Sequence, residues 1–216
     1  MTYVDLAVAS FGQRFTVTPL QMIAGVSAVI NGGNLYQPYV VQSISDTSGA
    51  VIQSNESTLI RQVVSEETSR RCRAILETVV SEGTGGNAYQ AGYRIGGKTG
   101  SSETTETDHT IVSFMGFAPA DDPEVIVLLA YDNPKPSSPG SDWSTTGVYI
   151  SGGNMAAPMA GAVIAQILDY LDVEKQYTAE ESAAVDVTTP QVTGYTVADA
   201  ETRLSNKGLS YRTIGE

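Results

Sequence analysis

Strand-like runs follow one another in the middle of the chain, at residues 93–98, 111–117 and 125–131. The turn "DDP" separates the last two, and a tight turn between consecutive strands favours antiparallel pairing. The third run, "VIVLLAY", has no alternating polar residues, which predicts a strand covered on both faces. The rest of the chain must therefore fold around an antiparallel sheet.

A helix and a hairpin are predicted before this sheet. Thr18 is the expected N-cap of the helix, with Pro19 at the first helical position and Gln21 completing a capping box, and Gly32 follows its end. Apolar residues at helical spacing between these limits predict a well-buried helix. The next stretch, "YQPYVVQSISDTSGAVIQS", alternates β-branched and polar residues around a Thr-Ser-Gly turn, which is typical of a β-hairpin.

A second helix is predicted from its N-cap, Ser65, to a stop at Gly83. Its apolar face repeats with helical spacing and comprises Cys72, Ile75, Leu76, Val79 and Val80. Cys72 therefore belongs to the core face, and we interpret it as a buried thiol rather than a reactive nucleophile. As the single cysteine, it cannot form an internal disulfide.

A third helix over about residues 157–171, with Pro158 in its first turn, completes the pattern. The order is then helix, hairpin, helix, consecutive strands and helix. Helices segregated from an antiparallel sheet define a layered α+β architecture. We predict an α+β fold in which helices cover an antiparallel sheet.

The C-terminal part of the chain differs in composition from the rest. Apolar density falls over residues 173–189, as expected of a linker. Residues 190–216 predict a strand, a helix capped by Thr196, a stop at Gly208 and the start of another strand. This segment is too short for an independent core, since domains below about 40 residues usually need a staple or a partner. We therefore divide the chain into a main domain at 1–172, a linker and a small incomplete unit.

The charge of the chain excludes one class of partner. Its 216 residues include 12 Lys and Arg against 24 Asp and Glu, giving a net charge of −12. Most of such a surface repels a phosphate backbone, so we expect no nucleic-acid partner. No stretch approaches the roughly 20 apolar residues of a membrane span, and the first ten residues lack the basic start of a signal peptide.

The segment "IGGKTGSS" at residues 95–102 is the candidate site. Lys98 lies here between glycines and hydroxyl side chains, where backbone N–H groups and one cation could meet a carboxylate or a developing oxyanion. Gly100 allows close approach of a ligand, and the hydroxyls of Thr99 and Ser101 can donate to it. Lys-Thr-Gly by itself is a weak pattern that also occurs in exposed turns.

Motifs on both sides make the pattern more specific. "FGQRFTVTPLQMIAGVSAVINGGNLYQPYVV", "VVSEGTG", "GYRIGGKTGSSE", "SFMGFAPADDPEVIVLLAYDNP" and "GGNMAAP" occur in the order expected of class B penicillin-binding proteins. Nearly all of residues 3–171 thus resembles the transpeptidase domain of that family. The tail "PQVTGYTVADAETRLSNKGL" is similar to the first half of a PASTA domain, a module often appended to such enzymes in Gram-positive bacteria.

In that family the acyl-transfer site combines Ser-x-x-Lys, Ser-x-Asn and Lys-Thr-Gly. Only the third motif occurs here, because no lysine of the chain follows a serine by three positions and no Ser-x-Asn is present. The missing motifs precede this region in the family. We therefore expect the chain to be the C-terminal part of a longer transpeptidase, cut at both ends and inactive by itself.

The resemblance also assigns roles within the third motif. Lys98 and Ser101 are the expected catalytic residues: Lys98 would orient a substrate carboxylate and assist proton transfer, and the Ser101 N–H would form half of the oxyanion hole. Thr99, Gly100 and Ser102 are the expected substrate-binding residues. The family more often has threonine at the position of Ser101, a change that keeps the hydroxyl and the N–H. No cofactor or metal is expected.

Other candidates are given structural interpretations. His109, the only histidine, is expected in a loop or at the start of a strand, because no serine or cysteine motif accompanies it. The acidic residues Glu103, Glu106 and Asp108 lack the spacing of a calcium loop and predict a solvated face. Trp143 and Tyr149 could either line a substrate groove or hold their loop in place.

The resemblance implies a peptidoglycan D,D-transpeptidase that acts on stem peptides and is acylated by β-lactams. Division or sporulation proteins are possible partners. The complete protein would be membrane-anchored, at the extracytoplasmic face of the membrane of a Gram-positive type of bacterium. Two alternatives stay open: a non-catalytic cell-wall-binding module, and a relative of serine β-lactamases or β-lactam sensors, which share the Lys-Thr-Gly strand.

Overall fold

The structure is a computed structural model that describes residues 2–13, 15–103, 109–184 and 189–207, together with 209, 211 and 213. The chain divides into two compact units, Met1–Gln176 and Tyr177–Glu216. The helices of the first unit are α1 (Tyr3–Ala9), α2 (Pro19–Ile30), α3 (Glu66–Ser81) and α4 (Ala157–Tyr170). Its strands are β1 (Asn34–Gln37), β2 (Ser43–Ser45), β3 (Val51–Ser54), β4 (Thr58–Gln62), β5 (Gly96–Glu103), β6 (Thr110–Ala118) and β7 (Val125–Asp132).

The predicted antiparallel sheet is confirmed. Its strands are ordered β5-β6-β7, and both neighbouring pairs run antiparallel. The first strand was placed too early, at 93–98, because it begins at Gly96 and continues to Glu103. Every residue of β5 has a partner in β6, so the pairing extends through a glycine-rich stretch with low intrinsic strand preference. "KTGSS" consequently lies within the strand and not at its end.

The main core lies between this sheet and α4. Phe114 of β6 is fully buried against one face of α4, whose buried residues include Ala157, Ala160, Ile164 and Leu168. On the opposite face of the sheet, Phe117 packs with Ile30 of α2 and Ile126 of β7. Both faces of β7 therefore contact core clusters, as predicted, but its side chains are only half-buried because β7 lies at an edge of this sheet.

The helix caps are confirmed, but the predicted burial of α2 is wrong. The Thr18 hydroxyl accepts from the Gln21 N–H, and the Gln21 side chain accepts from the Thr18 N–H. Within α2 only Ala28 and Ile30 are buried. Leu20 is 52% exposed and lines an open apolar groove of about 350 Å³. Leu35 and Tyr36 of β1 and Ile60 of β4 form the other wall of this groove, which stays open to solvent.

Helix α3 begins as predicted, with the Ser65 hydroxyl accepting from the Thr68 N–H. Its apolar face is narrower than the sequence pattern predicts. Val80 is buried, whereas Ile75 is 65% exposed and Cys72 is half-buried. The helix packs on β5 and α2 along one narrow stripe, so the edges of the apolar face stay in contact with solvent.

The predicted hairpin is also confirmed, since β2 pairs antiparallel with β3. A second pairing was not anticipated: β1 and β4, on either side of this hairpin, form a further antiparallel ladder. Neither of these strands carries a strong apolar alternation, so only their placement by α2 and the hairpin brings them together.

The second unit contains α5 (Ala179–Ala184) and α6 (Val197–Ser205). Helix α6 has the predicted cap, because the Thr196 hydroxyl accepts from the Asp199 N–H. Helix α5 falls inside the predicted linker. No strand occurs at residues 189–195, where one was expected, and residues 193–194 form a turn. The predicted stop at Gly208 lies outside the described residues. In the described parts of both units, no helix is long and apolar enough to cross a membrane.

Candidate functional site

Alternation along β5 separates the predicted site residues onto two faces of the sheet. Thr99 lies opposite Phe114, which packs against α4, so Thr99 and Ser101 share the α4 face. Lys98, Gly100 and Ser102 belong to the other face. β5 is the edge strand of its sheet, and in the described part of the chain no strand pairs with its outer side. The structure thus brings the residues to one exposed edge without placing them side by side.

Lys98 reaches across this edge. Its side chain is exposed, and Nζ donates to the Thr99 carbonyl at 2.8 Å and lies 3.5 Å from Thr99 Oγ1. Because β6 occupies the inner side of the strand, a lysine on one face can approach a hydroxyl on the other only around the outer edge. A cation and a hydroxyl therefore meet where an anionic ligand has access.

Thr99 and Ser101 are each held by a residue distant in sequence. Thr99 Oγ1 lies 3.1 Å from Oγ1 of Thr84, in the loop after α3. Ser101 Oγ accepts from the N–H of Gly152 at 3.3 Å. Gly152 begins a π-helical turn (Gly152–Ala156) that leads directly into α4. Both hydroxyls of the α4 face are therefore fixed from outside their own strand.

The π-helical turn packs on the strand so closely that only glycine fits. A Cβ at Gly152 would lie 2.1 Å from the Ser113 carbonyl oxygen and 2.6 Å from that of Gly100. A Cβ at Gly153 would lie 2.4 Å from the Thr84 carbonyl oxygen. The backbone of the π-helical turn therefore packs directly on the backbone of Gly100 and Ser113.

Asn87, in the loop after α3, also binds the π-helical turn, and we call this contact region the junction. Its Nδ2 donates to the Gly153 carbonyl at 3.0 Å and lies 3.3 Å from Asn154 Oδ1. Asn154 in turn donates from Nδ2 to the Ser151 hydroxyl at 2.9 Å. The loop after α3, strand β5 and the π-helical turn are thereby connected by polar contacts.

Close packing explains why two glycines precede Lys98. A Cβ at Gly96 would lie 2.4 Å from Phe117 Cζ, and one at Gly97 would lie 2.4 Å from Phe114 Cζ. The aromatic rings of β6 therefore cover the start of β5 on both faces. Gly96 and Gly97 leave room for the two phenylalanine rings of the core. The polar side chains of the motif follow them, from Lys98 onward.

His109 is placed as predicted, immediately before β6, and its Nε2 lies 2.5 Å from Asp132 Oδ1 at the end of β7. The acidic run extends outside the described residues at Glu106 and Asp108. Among the described residues, no group of three or more acidic, histidine or cysteine side chains could hold a metal ion.

Trp143 and Tyr149 contact each other within their loop. Their rings pack edge to face, with centroids 5.6 Å apart, and the two residues also form a β-bridge. Ser144, between them, is buried. Its N–H donates to the Val148 carbonyl, and its carbonyl accepts from the Gly147 N–H.

Reasoning from the third motif alone missed Thr84, Asn87 and Gly152. A signal for them was present, because two of the stretches quoted for the family resemblance, "VVSEGTG" and "GGNMAAP", contain Thr84 and Gly152. Their order along the chain gave no indication that they converge on β5.

An antiparallel sheet with Lys-Thr-Gly on its exposed edge strand and a helix across one face matches the third of the three motifs that penicillin-binding proteins and class A β-lactamases share. The chain belongs to the penicillin binding protein transpeptidase domain family, whose model matches residues 2–149.

Two curated relatives illustrate the range of the match. Stage V sporulation protein D of Bacillus subtilis (strain 168) is 41% identical over 217 residues, covering 94% of this chain and 31% of that protein. The peptidoglycan D,D-transpeptidase FtsI homolog of Mesostigma viride is 29% identical over 184 residues, covering 76% of this chain and 29% of that protein. The chain thus spans about a third of the length of these relatives.

Solved structures agree with the fold. The transpeptidase domain of Burkholderia pseudomallei penicillin-binding protein 3 superposes with a TM-score of 0.63 at 25% identity, covering 82% of this chain and 50% of that one. Penicillin-binding protein A of M. tuberculosis, solved as an imipenem acyl-enzyme complex, gives a TM-score of 0.60 at 25% identity, covering 76% and 34%. The α+β prediction is confirmed.

Proposed function

We propose that this chain is part of a peptidoglycan D,D-transpeptidase whose nucleophilic serine lies outside these 216 residues. The observation that carries the proposal is the exposed edge of β5, where Lys98 and Thr99 meet in a chain of this family. In the reaction, the serine hydroxyl attacks the carbonyl between the two D-alanines of a stem peptide. The terminal D-alanine leaves with a proton, and an amine of a second stem then displaces the serine from the acyl group.

The residues of β5 have different roles in binding the stem peptide. Lys98 supplies the positive charge that attracts the terminal carboxylate, and the Thr99 hydroxyl donates to the same group. The N–H of Ser101 supplies one donor of the oxyanion hole, and its hydroxyl, held by Gly152, fixes the strand at that point. Gly100 and Ser102 lie on the Lys98 face and contact the substrate beside it.

The unpaired side of β5 supplies a second kind of contact. An edge strand presents free backbone N–H and C=O groups, to which an extended peptide adds as a further strand. A stem peptide bound in this way places its C-terminal carboxylate beside Lys98, and its scissile carbonyl then lies within reach of the Ser101 N–H.

The names of the relatives support the wider assignment. One is a sporulation protein and another a peptidoglycan D,D-transpeptidase, and penicillin-binding protein A is acylated by imipenem. We accordingly propose stem peptides and β-lactams as ligands, and division or sporulation proteins as partners. The site of action is the extracytoplasmic face of a Gram-positive type of bacterium, with the complete protein anchored in the membrane. Residues 190–216 are proposed to begin a PASTA domain.

Labelling with a fluorescent penicillin tests this assignment. The complete protein, including the sequence on both sides of this chain, is compared with the isolated 216 residues. We expect covalent labelling of the complete protein alone. Lys98→Ala should slow labelling by about 100-fold or more, a typical loss for a proton-transfer or charge-stabilising group. Lys135→Ala, in the exposed loop after β7, serves as the control.

Each alternative function has its own outcome in this test. A complete protein that takes up no label supports the non-catalytic cell-wall-binding module. Rapid loss of the label by hydrolysis supports a serine β-lactamase. Labelling of the isolated chain would overturn the placement of the nucleophile elsewhere.

A further inference from the structure

Thr84 offers its hydroxyl to Thr99 from outside β5. The two Oγ1 atoms lie 3.1 Å apart, and the residues belong to separate elements, the loop after α3 and the edge strand. Thr84 is exposed, so this contact is not a by-product of core packing. It lies at the edge where the proposed carboxylate ligand binds.

The surroundings hold Thr84 in place. Its carbonyl oxygen faces Gly153 so closely that any side chain at Gly153 would displace it. Asn87, in the same loop, donates to the Gly153 carbonyl at 3.0 Å. The loop is therefore attached to the π-helical turn, and the π-helical turn is attached to β5 through Gly152 and Ser101. Thr84 has a fixed position relative to Thr99.

The position of Thr84 affects where the proton of the Thr99 hydroxyl points. A threonine hydroxyl has one proton to donate and two lone pairs that accept, whereas a lysine ammonium only donates. Thr99 Oγ1 lies between Lys98 Nζ, at 3.5 Å, and the Thr84 hydroxyl. When both neighbours donate to Thr99, its single proton is left to point outward. A carboxylate arriving at the edge then finds a donor already aimed at it.

We propose that Thr84 is a positioning residue that directs the Thr99 hydroxyl proton toward the carboxylate of the bound peptide or β-lactam. This inference rests on the proposed transpeptidase function. Thr84 itself touches neither the ligand nor the reacting atoms. Its effect should therefore depend on whether the ligand carries a free carboxylate.

The test compares benzylpenicillin with its methyl ester, using acylation rates of the complete protein. Thr84→Val removes the hydroxyl while keeping the shape of the side chain. We expect about a fivefold to tenfold slower acylation by benzylpenicillin, the usual range for one hydrogen bond near a charged group, and an unchanged rate with the ester. Thr84→Ser keeps the hydroxyl and should acylate like the wild type. Thr78→Val makes the same substitution at an exposed position of α3 and is the matched control.

A double-mutant cycle separates positioning from a general structural effect. In a Thr99→Val background the group that Thr84 orients is gone, so adding Thr84→Val should cause no further loss. Equal losses with benzylpenicillin and the ester, or a Thr84→Ser protein as slow as Thr84→Val, overturn the inference. If Thr84→Val fails to fold, Thr84→Ala replaces it, since truncating an exposed side chain leaves no buried cavity.

Failure of the proposed function gives a different result. A wild-type protein that neither compound acylates overturns the transpeptidase assignment, and the role of Thr84 falls with it. A wild-type protein that acylates normally, with Thr84→Val indistinguishable from it, overturns the role of Thr84 alone.

Discussion

The hydroxyl of Tyr93 donates a 2.8 Å hydrogen bond to Oδ1 of Asp169, and so joins the segment before β5 to the end of α4. Lys175 lies 3.0 Å from the same carboxylate oxygen, and its ammonium is 5.3 Å from the centroid of the Tyr93 ring. Tyr93 is almost fully buried. The three side chains thus fasten the sheet, α4 and the segment after α4 together beside the main core.

Because of this cluster, the stability of the fold should depend on pH in the acid range. The ion pair with Lys175, followed by the Tyr93 hydrogen bond, lowers the pKa of Asp169 below its ordinary value of about 3.9. The carboxylate therefore stabilises the fold fully above that value, and the contribution is lost as the pH falls through the lowered pKa. Lys175→Gln should reduce the denaturation midpoint at neutral pH, and the difference from the wild type should shrink under acid conditions.

Urea denaturation at several pH values measures this effect. Lys135→Gln makes the same charge change in an exposed loop and should leave the pH dependence unaltered. A Lys175→Gln protein whose stability difference is the same at acid and neutral pH would contradict the role of the ion pair.

The contact between α4 and the loop after α3 predicts a severe glycine substitution. A Cβ at Gly161 would lie 2.4 Å from the carbonyl oxygen of Ala88 and 2.9 Å from its Cα. Because backbone atoms cannot move aside as a side chain can, Gly161→Ala should destabilise the protein by about 1–3 kcal/mol. Thermal or chemical unfolding of the variant checks this expectation.

Gly25 supplies a matched control in another helix. A Cβ there meets no atom within 4 Å, so Gly25→Ala should stabilise the protein by about 0.5–1 kcal/mol through helix propensity. The packing argument is wrong if both substitutions shift the unfolding midpoint in the same direction.

Phe114 is one of the largest fully buried side chains of the core, so its truncation should be costly. It is fully buried between β6 and α4. Phe114→Ala should destabilise the protein by about 3–5 kcal/mol, because the transfer free energy of the ring is lost and a cavity is left. By contrast Ile75, assigned to the core face by sequence periodicity, is 65% exposed. Ile75→Ala should change stability by no more than about 0.5 kcal/mol.

A side chain at Gly153 should affect the proposed activity, because Gly153 packs against the backbone of Thr84. Gly153→Ala forces the Thr84 carbonyl away from the π-helical turn, so acylation of the complete protein by benzylpenicillin should slow. A Cβ at nearby Gly86 would meet its first neighbour at 3.6 Å, an ordinary contact, which makes Gly86→Ala the control. Equal acylation rates for both variants would show that the junction tolerates displacement.

Local signals in the sequence were enough for the N-caps of α2, α3 and α6 and for the first hairpin. The caps at Thr18, Ser65 and Thr196 are all formed as predicted, because a capping side chain needs only backbone groups within three residues. The antiparallel order of β5, β6 and β7 likewise followed from a short turn. Some incorrect expectations concerned burial, as for α2, since periodicity marks an apolar face without saying what covers it. Others concerned the bounds of β5 and the strand expected near residue 190.

For this protein, the sequence determined helices α2, α3, α4 and α6, the β2-β3 hairpin, the antiparallel sheet and, through ordered motifs, the family. The tertiary structure decided how "IGGKTGSS" is used. Strand alternation and the pairing with β6 divide its side chains between two faces. Close packing at Gly152 and Gly153 then brings Thr84 to Thr99. Such contacts join residues far apart in the chain, and they depend on strand register and backbone distance, which no local pattern encodes.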